Sequence, residues 1–152
     1  MHTLSRRRAV CLILIAATSA LATAHVGVGA EKVPLVIKGY DPVAYFTVGK
    51  AVPGLPDIEF VWDEQRYRFA RTEHRDVFKK DPARYAPQFA NYCAMALAVG
   101  ELVEADPENW LISDGKLYVF GKPAPDGPAL FKKDLAGNVA KANENRPLML
   151  NH

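Results

Sequence analysis

Trp110-Leu111-Ile112-Ser113-Asp114-Gly115-Lys116-Leu117-Tyr118-Val119-Phe120 is the stretch on which the fold class turns. Two apolar runs flank Asp114-Gly115, a dipeptide that accepts the positive φ angles of a type I′ turn, so the segment predicts a tight β-hairpin. Further upstream, Ile58, Phe60 and Trp62 alternate with Glu59 and Val61. Asp63-Glu64-Gln65 then turns, and Tyr67 and Phe69 alternate with Arg66 and Arg68. This predicts a second hairpin with its aromatic rings on one face.

Around the hairpins the punctuation is that of short helices. Asp41-Pro42 supplies an N-cap and a proline at the first helical position ahead of Val43-Ala44-Tyr45-Phe46. Thr72 caps a helix whose first turn holds Glu73 and Asp76 and whose last holds Lys79 and Lys80. Asp81-Pro82 and Asp106-Pro107 read as two more starts of the same kind. Asn91 to Gly100 is the most continuously apolar run outside the N-terminal segment; it reads as a buried helix ended by glycine, with Asn91 as its cap. Glu31 to Gly39 is a lead-in interrupted by Pro34, and Thr47 to Pro56 and Gly121 to Pro128 are loops. Ala129 to Asn143 is helical with a break at Gly137, and Pro147 is a stop. No internal repeat stands out. The expectation is a small single α+β domain, two β-hairpins packed with several short helices.

The N-terminus carries an address. Arg6, Arg7 and Arg8 precede an apolar stretch from Ala9 to Ala24, and small-x-small cleavage sites follow at Ala22-Thr23-Ala24 and Val28-Gly29-Ala30. That order is a secretory signal peptide over residues 1–30, with cleavage at the second site favoured by the polar start Glu31-Lys32 and an uncleaved anchor as the alternative. That stretch of 16 residues, with Thr18, Ser19 and Thr23 inside it, falls short of the roughly 20 that span a bilayer. Ser5-Arg6-Arg7-Arg8 partly matches a twin-arginine signal, the route of proteins exported already folded. The expected location is periplasmic or secreted, with no stable membrane span after cleavage.

Removal of residues 1–30 leaves sixteen basic and seventeen acidic residues, a formal charge of −1, which excludes nucleic-acid binding as the main function. It also removes Cys11 and leaves Cys93 alone, so no internal disulfide forms. Ser113, beside the turn, is the one serine left, which disfavours Ser/His/Asp hydrolysis. The fifteen aromatic residues serve mainly as core, with Tyr40, Tyr45 and Trp62 as the candidate rim of a cleft for a flat-ring ligand. The aspartates at 41, 81 and 106 are explained by helix capping. Cys93 is either a reactive thiol, favoured by a helix start, or a small buried hydrophobe. His74, in the charged stretch Arg71 to Asp76, reads as a surface residue that is still able to ligate a metal ion.

Gly39-Tyr40-Asp41-Pro42-Val43-Ala44-Tyr45-Phe46, Tyr67-Arg68-Phe69-Ala70, Asp81-Pro82-Ala83-Arg84-Tyr85-Ala86-Pro87 and Tyr92-Cys93-Ala94 together resemble the successive blocks of the bacterial exported YHS-domain proteins. The likeness runs over about residues 37–147 of a domain placed at 31–152. It implies an α+β domain and a link to metal handling, copper or another soft transition-metal ion. In metal-binding relatives cysteines stand where this sequence has Ala44, Ala70 and His74, so a copied thiolate site is not expected. The branch with the Tyr-Cys-Ala block includes proteins with selenocysteine, placed by the resemblance at Cys93, which implies a redox or soft-metal role there. Met95 and Ala96 depart from the tyrosine and glycine usual in that branch. Three functions follow as expectations. The first is a non-enzymatic exported protein binding a metal or small ligand near Cys93, His74 and Asp41 to Tyr45. The second is a thiol-dependent redox protein using Cys93, and the third an interaction module for an envelope protein partner.

Overall fold

The computed structural model describes residues 33–122 and 126–150; residues 1–30, where a signal peptide with two candidate cleavage sites is expected, and Cys11 with them, lie outside the described residues. After a 3-10 turn at Val36–Gly39 come α1 (Ala44–Thr47), β1 (Leu55–Trp62), β2 (Gln65–Phe69), α2 (Thr72–Lys80) and α3 (Pro82–Tyr85). Then follow α4 (Ala94–Ala98), β3 (Asp106–Ser113), β4 (Lys116–Phe120), α5 (Gly127–Lys133) and α6 (Leu135–Leu150). The strands make two separate antiparallel pairs, β1 with β2 and β3 with β4. The architecture is the α+β arrangement of two hairpins and short helices that the sequence predicts. Among the described residues no helix is long and apolar enough to cross a membrane.

Both hairpins close through two left-handed residues. Asp114 and Gly115 take φ of 51° and 71°, as the sequence predicts, and Asp63 and Glu64 take 50° and 56° without a glycine. The first turn is therefore shorter than expected: Gln65 belongs to β2 and pairs with Trp62. Each long strand bulges at the same place, between Leu55 and Glu59 in β1 and between Asp106 and Trp110 in β3. Asp106-Pro107 thus opens a strand and not a helix. Asp106 Oδ1 accepts from the Glu108 N–H, a local turn that bends the chain into the bulge.

The correspondence between hairpins extends to whole halves of the chain, a repeat that the sequence reading missed. The Asp41 N–H donates to Val52 O and the Cys93 N–H to Val103 O, each at 2.8 Å. Gly54 N–H donates to Gly39 O at 2.8 Å, and Ala105 N–H to Asn91 O at 2.7 Å. Tyr40 bridges Pro53 and Tyr92 bridges Glu104, while Leu35 bridges Arg66 and Pro87 bridges Leu117. Phe78 of α2 packs on Tyr67 and Phe69 with ring centroids 4.7 and 5.2 Å away; Phe131 of α5 packs on Tyr118 and Phe120 at 5.2 and 5.5 Å. Both helices then run Phe-Lys-Lys-Asp, at 78–81 and 131–134. Each half is a capped short helix, a bulged hairpin and a helix laid back across it.

The halves meet at β4. In β2 burial alternates, with Tyr67 and Phe69 inward, as a strand with one wet face requires. In β4 Leu117, Tyr118, Val119 and Phe120 are all buried: Leu117 and Val119 join the core of the first half, Tyr118 and Phe120 that of the second. Asn91 fixes the join, because its Oδ1 accepts from the Ile37 N–H at 2.6 Å and its Nδ2 donates to Leu35 O at 3.0 Å. It does not cap α4 as expected; it is committed to the opposite half.

Three helix boundaries also differ from expectation. Arg71, not Thr72, is the N-cap position of α2. Asp81 precedes α3 without a side-chain cap bond, so the proline alone sets that start. The last two helices break at Asp134 and not at Gly137, and α6 continues through Pro147 to Leu150. The Asp134 carboxylate folds back to accept the Gly137 N–H, and a Cβ at residue 137 would collide with it.

Candidate functional site

The capping residue of each half carries the polar chemistry. In the first half Asp41 is fully buried and surrounded by donors. Its Oδ1 accepts from the Val43 and Ala44 N–H groups at 2.9 and 3.3 Å and so holds the turn that leads into α1, whose N-cap position is Val43 and not, as expected, Asp41. Its Oδ2 accepts from the Ala70 N–H at 2.8 Å and faces His74 Nδ1 at 2.6 Å. With the other three partners all donors, His74 Nδ1 carries the proton of that bond. His74 Nε2 lies 3.4 Å from Thr47 Oγ1, whose own proton goes to Val43 O.

This corrects the reading of His74 as solvated. Only 7% of its surface is exposed, because α2 turns that one polar residue, a helical turn before Phe78, down onto the start of α1. Nδ1 is held by Asp41 and Nε2 lies beside the Thr47 hydroxyl, so His74 is a strut between α1 and α2. The order hydroxyl, imidazole, carboxylate has the look of a catalytic array, but the Thr47 proton points away from the imidazole.

The rim proposed for a flat-ring cleft does not assemble around one opening. Tyr45 is buried, gives its hydroxyl proton to Pro107 O at 3.0 Å and meets the Trp110 ring edge-on. Burial, with the Glu108 carboxylate next in effect, pushes its phenol above the ordinary tyrosine value. Tyr40 is half-buried against the first core. Trp62 does line an open groove of about 200 Å³, together with Tyr67, Gln65, Asp63 and Arg146. Tyr67 there is raised in the same direction as Tyr45, first by burial and then by the Asp63 charge, with Arg146 opposing.

Cys93 occupies in the second half the place that Asp41 holds in the first. It is the N-cap of α4, with the Ala96 N–H donating to Sγ at 3.4 Å, and it is 2% exposed. It belongs to a different core cluster from Tyr45, and His74 is committed to Asp41, so the composite site of Cys93, His74 and the Asp41–Tyr45 segment is not brought together. Among the described residues no group of three or more His, Cys, Asp or Glu side chains is placed to hold a metal ion.

What Cys93 does have is a cavity. A mainly apolar space of about 220 Å³ is lined by Cys93, Met95, Ala96, Val99, Glu101, Val103 and Gly121. Val99, 61% exposed, stands at its mouth. Sequence reasoning singled out Cys93 but not Met95 as a neighbour in function. A spacing of two does not share a helix face, so no local signal in the sequence pairs them. No family model, curated protein or solved structure matches the chain.

Proposed function

We propose that this chain is an exported binding protein of the YHS class, acting in the periplasm or beyond the cell, whose site is the Cys93 cavity. Its ligand is a soft metal ion of the copper type. The observation that carries this reading is the shared apolar wall of Cys93 and Met95. Thiolate and thioether are the donors that select a monovalent copper ion over harder competitors, and an apolar surround strengthens the bond by excluding water. Glu101, on the same cavity, offers a carboxylate to balance the charge of the cation. His74 is outside the donor set.

Copper analysis of the full chain purified from an exporting host is the test. The metal bound by the wild type is expected to fall to background in Cys93→Ser and to weaken in Met95→Leu. Copper content unchanged by Cys93→Ser overturns the reading. If that result came with alkylation of Cys93 well below the ordinary thiol range near pH 8.5, the function would move to thiol redox chemistry; if Cys93 were also inert, it would move to an envelope interaction module.

A further inference from the structure

The repeat relates the Cys93 cavity to the surroundings of His74 in the first half. Aligned through Phe78-Lys79-Lys80-Asp81 and Phe131-Lys132-Lys133-Asp134, the helix position of His74 falls on Gly127. The buried residues of α2 are His74 and Phe78, and those of α5 are Gly127 and Phe131, the same pair of positions one turn apart. In the first half the imidazole of His74 lies against Asp41 and Thr47, beneath the backbone of Ala70 that shares Asp41 Oδ2 with it. The counterparts of Asp41, Thr47 and Ala70 are Cys93, Val99 and Gly121, and all three line the cavity. Ala96, which also lines it, is the counterpart of Ala44, a donor to Asp41.

By this correspondence the cavity takes the place that the His74 ring fills in the first half, and the matching helix position carries Gly127. Its volume of about 220 Å³ is several times the roughly 30 Å³ share of a liquid water, enough for a five-membered ring. Its two ends are chemically distinct. The inner end is Cys93 Sγ, in the place of the Asp41 carboxylate that meets His74 Nδ1. Glu101 also lines the cavity, where the first half has Gly49. An imidazolium, with an N–H on each nitrogen, donates one to the sulfur and turns the other toward the open side, and the flanking Val99, Val103 and Met95 cover its faces.

We propose that the Cys93 cavity binds a planar imidazole-class ring, replacing from outside the side chain that Gly127 lacks. This rests on the reading of that cavity as the ligand site but does not need a metal. The ring reaches it either as a free small molecule or as a histidine side chain presented by a peptide.

The experiment is protection of Cys93 from iodoacetamide in the full chain, with chelator present so that no metal contributes. At ten times its dissociation constant, 4-methylimidazole is expected to slow alkylation about tenfold by simple occupancy. Cyclopentanol, matched in size but without ring nitrogens, gives no such protection. A short histidine-containing peptide run in parallel separates the two sources, and protection by either supports the inference. Gly127→His should protect Cys93 without added ligand. If that variant fails to fold, amide chemical shifts decide: Ala96, Val99 and Gly121 are to move saturably with 4-methylimidazole in the wild type. The inference is overturned if neither ligand protects at saturation, or if cyclopentanol protects equally. Copper bound through Cys93 in a chain that ignores imidazole sinks this inference alone; ring binding in a chain whose copper is indifferent to Cys93→Ser sinks the metal reading alone.

Discussion

Asp41 and Cys93 begin the same short helix in the two halves of the chain, receive matching backbone support, and differ in what they have left to give. The Asp41 carboxylate meets four donors, from Val43, Ala44, Ala70 and His74, and is spent on architecture. Cys93 accepts one long bond from the Ala96 N–H and faces a cavity. One scaffold element, used twice, has been filled in one copy and left open in the other. The lesson is that the residue most saturated with partners is structural, and its under-partnered counterpart is the place to look for chemistry.

Replacing the two caps breaks or upholds this contrast most directly. Asp41→Ala leaves three buried N–H groups and an imidazole unpartnered, so a loss of about 3–5 kcal/mol is expected in urea unfolding. Cys93→Ala removes only a weak sulfur acceptor beside an existing void and should cost about 1 kcal/mol or less. Equal costs would erase the distinction.

A second comparison uses the paired tyrosines. Burial holds Tyr67 in the first half and Tyr118 in the second above the ordinary phenol value, as it does Tyr45. A raised native value means the folded state keeps these phenols neutral. Their contribution to stability is complete below about pH 10, the unfolded value, and is lost as pH climbs from there toward the native one. Tyrosinate absorbance should therefore lag behind that of free tyrosine. Tyr67→Phe and Tyr118→Phe should each remove one late-titrating group, and early ionisation of either would break the symmetry.

The smallest effects lie in the turns. Gly115 has φ of 71° and Glu64 has 56° at matching places. Gly115→Ala should destabilise by about 1 kcal/mol, and Glu64→Gly should stabilise by a similar or smaller amount, because only glycine takes that region without strain. Thermal melts of the two variants moving in the same direction would show that the turns are not equivalent.

Much of the fold was readable one segment at a time. Asp114-Gly115 gives the second hairpin, and alternation at Ile58, Phe60 and Trp62 gives the first, because both signals are local. What escaped were features set by distant partners. His74 sits among Glu73, Arg75 and Asp76, so nothing in its neighbourhood announces burial; the partner that draws it inward is thirty-three positions away. Asn91 looked like a helix cap because its real partners, Ile37 and Leu35, belong to the other half. The repeat did leave a trace in Tyr-x-Phe at 67–69 and 118–120 and in the doubled Phe-Lys-Lys-Asp. The fillers between those anchors have diverged so far that only the backbone bonding makes the pairing plain. Of the site, Cys93 was legible as the one thiol outside the N-terminal segment; the cavity was not, because Gly121, at the end of β4, meets a stretch from Cys93 to Val103 that lies far from it in sequence.

Asn91 gives the duplication its last consequence. Its amide holds both the donor and the acceptor of the opposite lead-in, and β4 lends one face to each core, so neither copy owns a complete interior. Two modules built on one pattern each depend on the other for part of their interior, so the chain is expected to unfold as an undivided body.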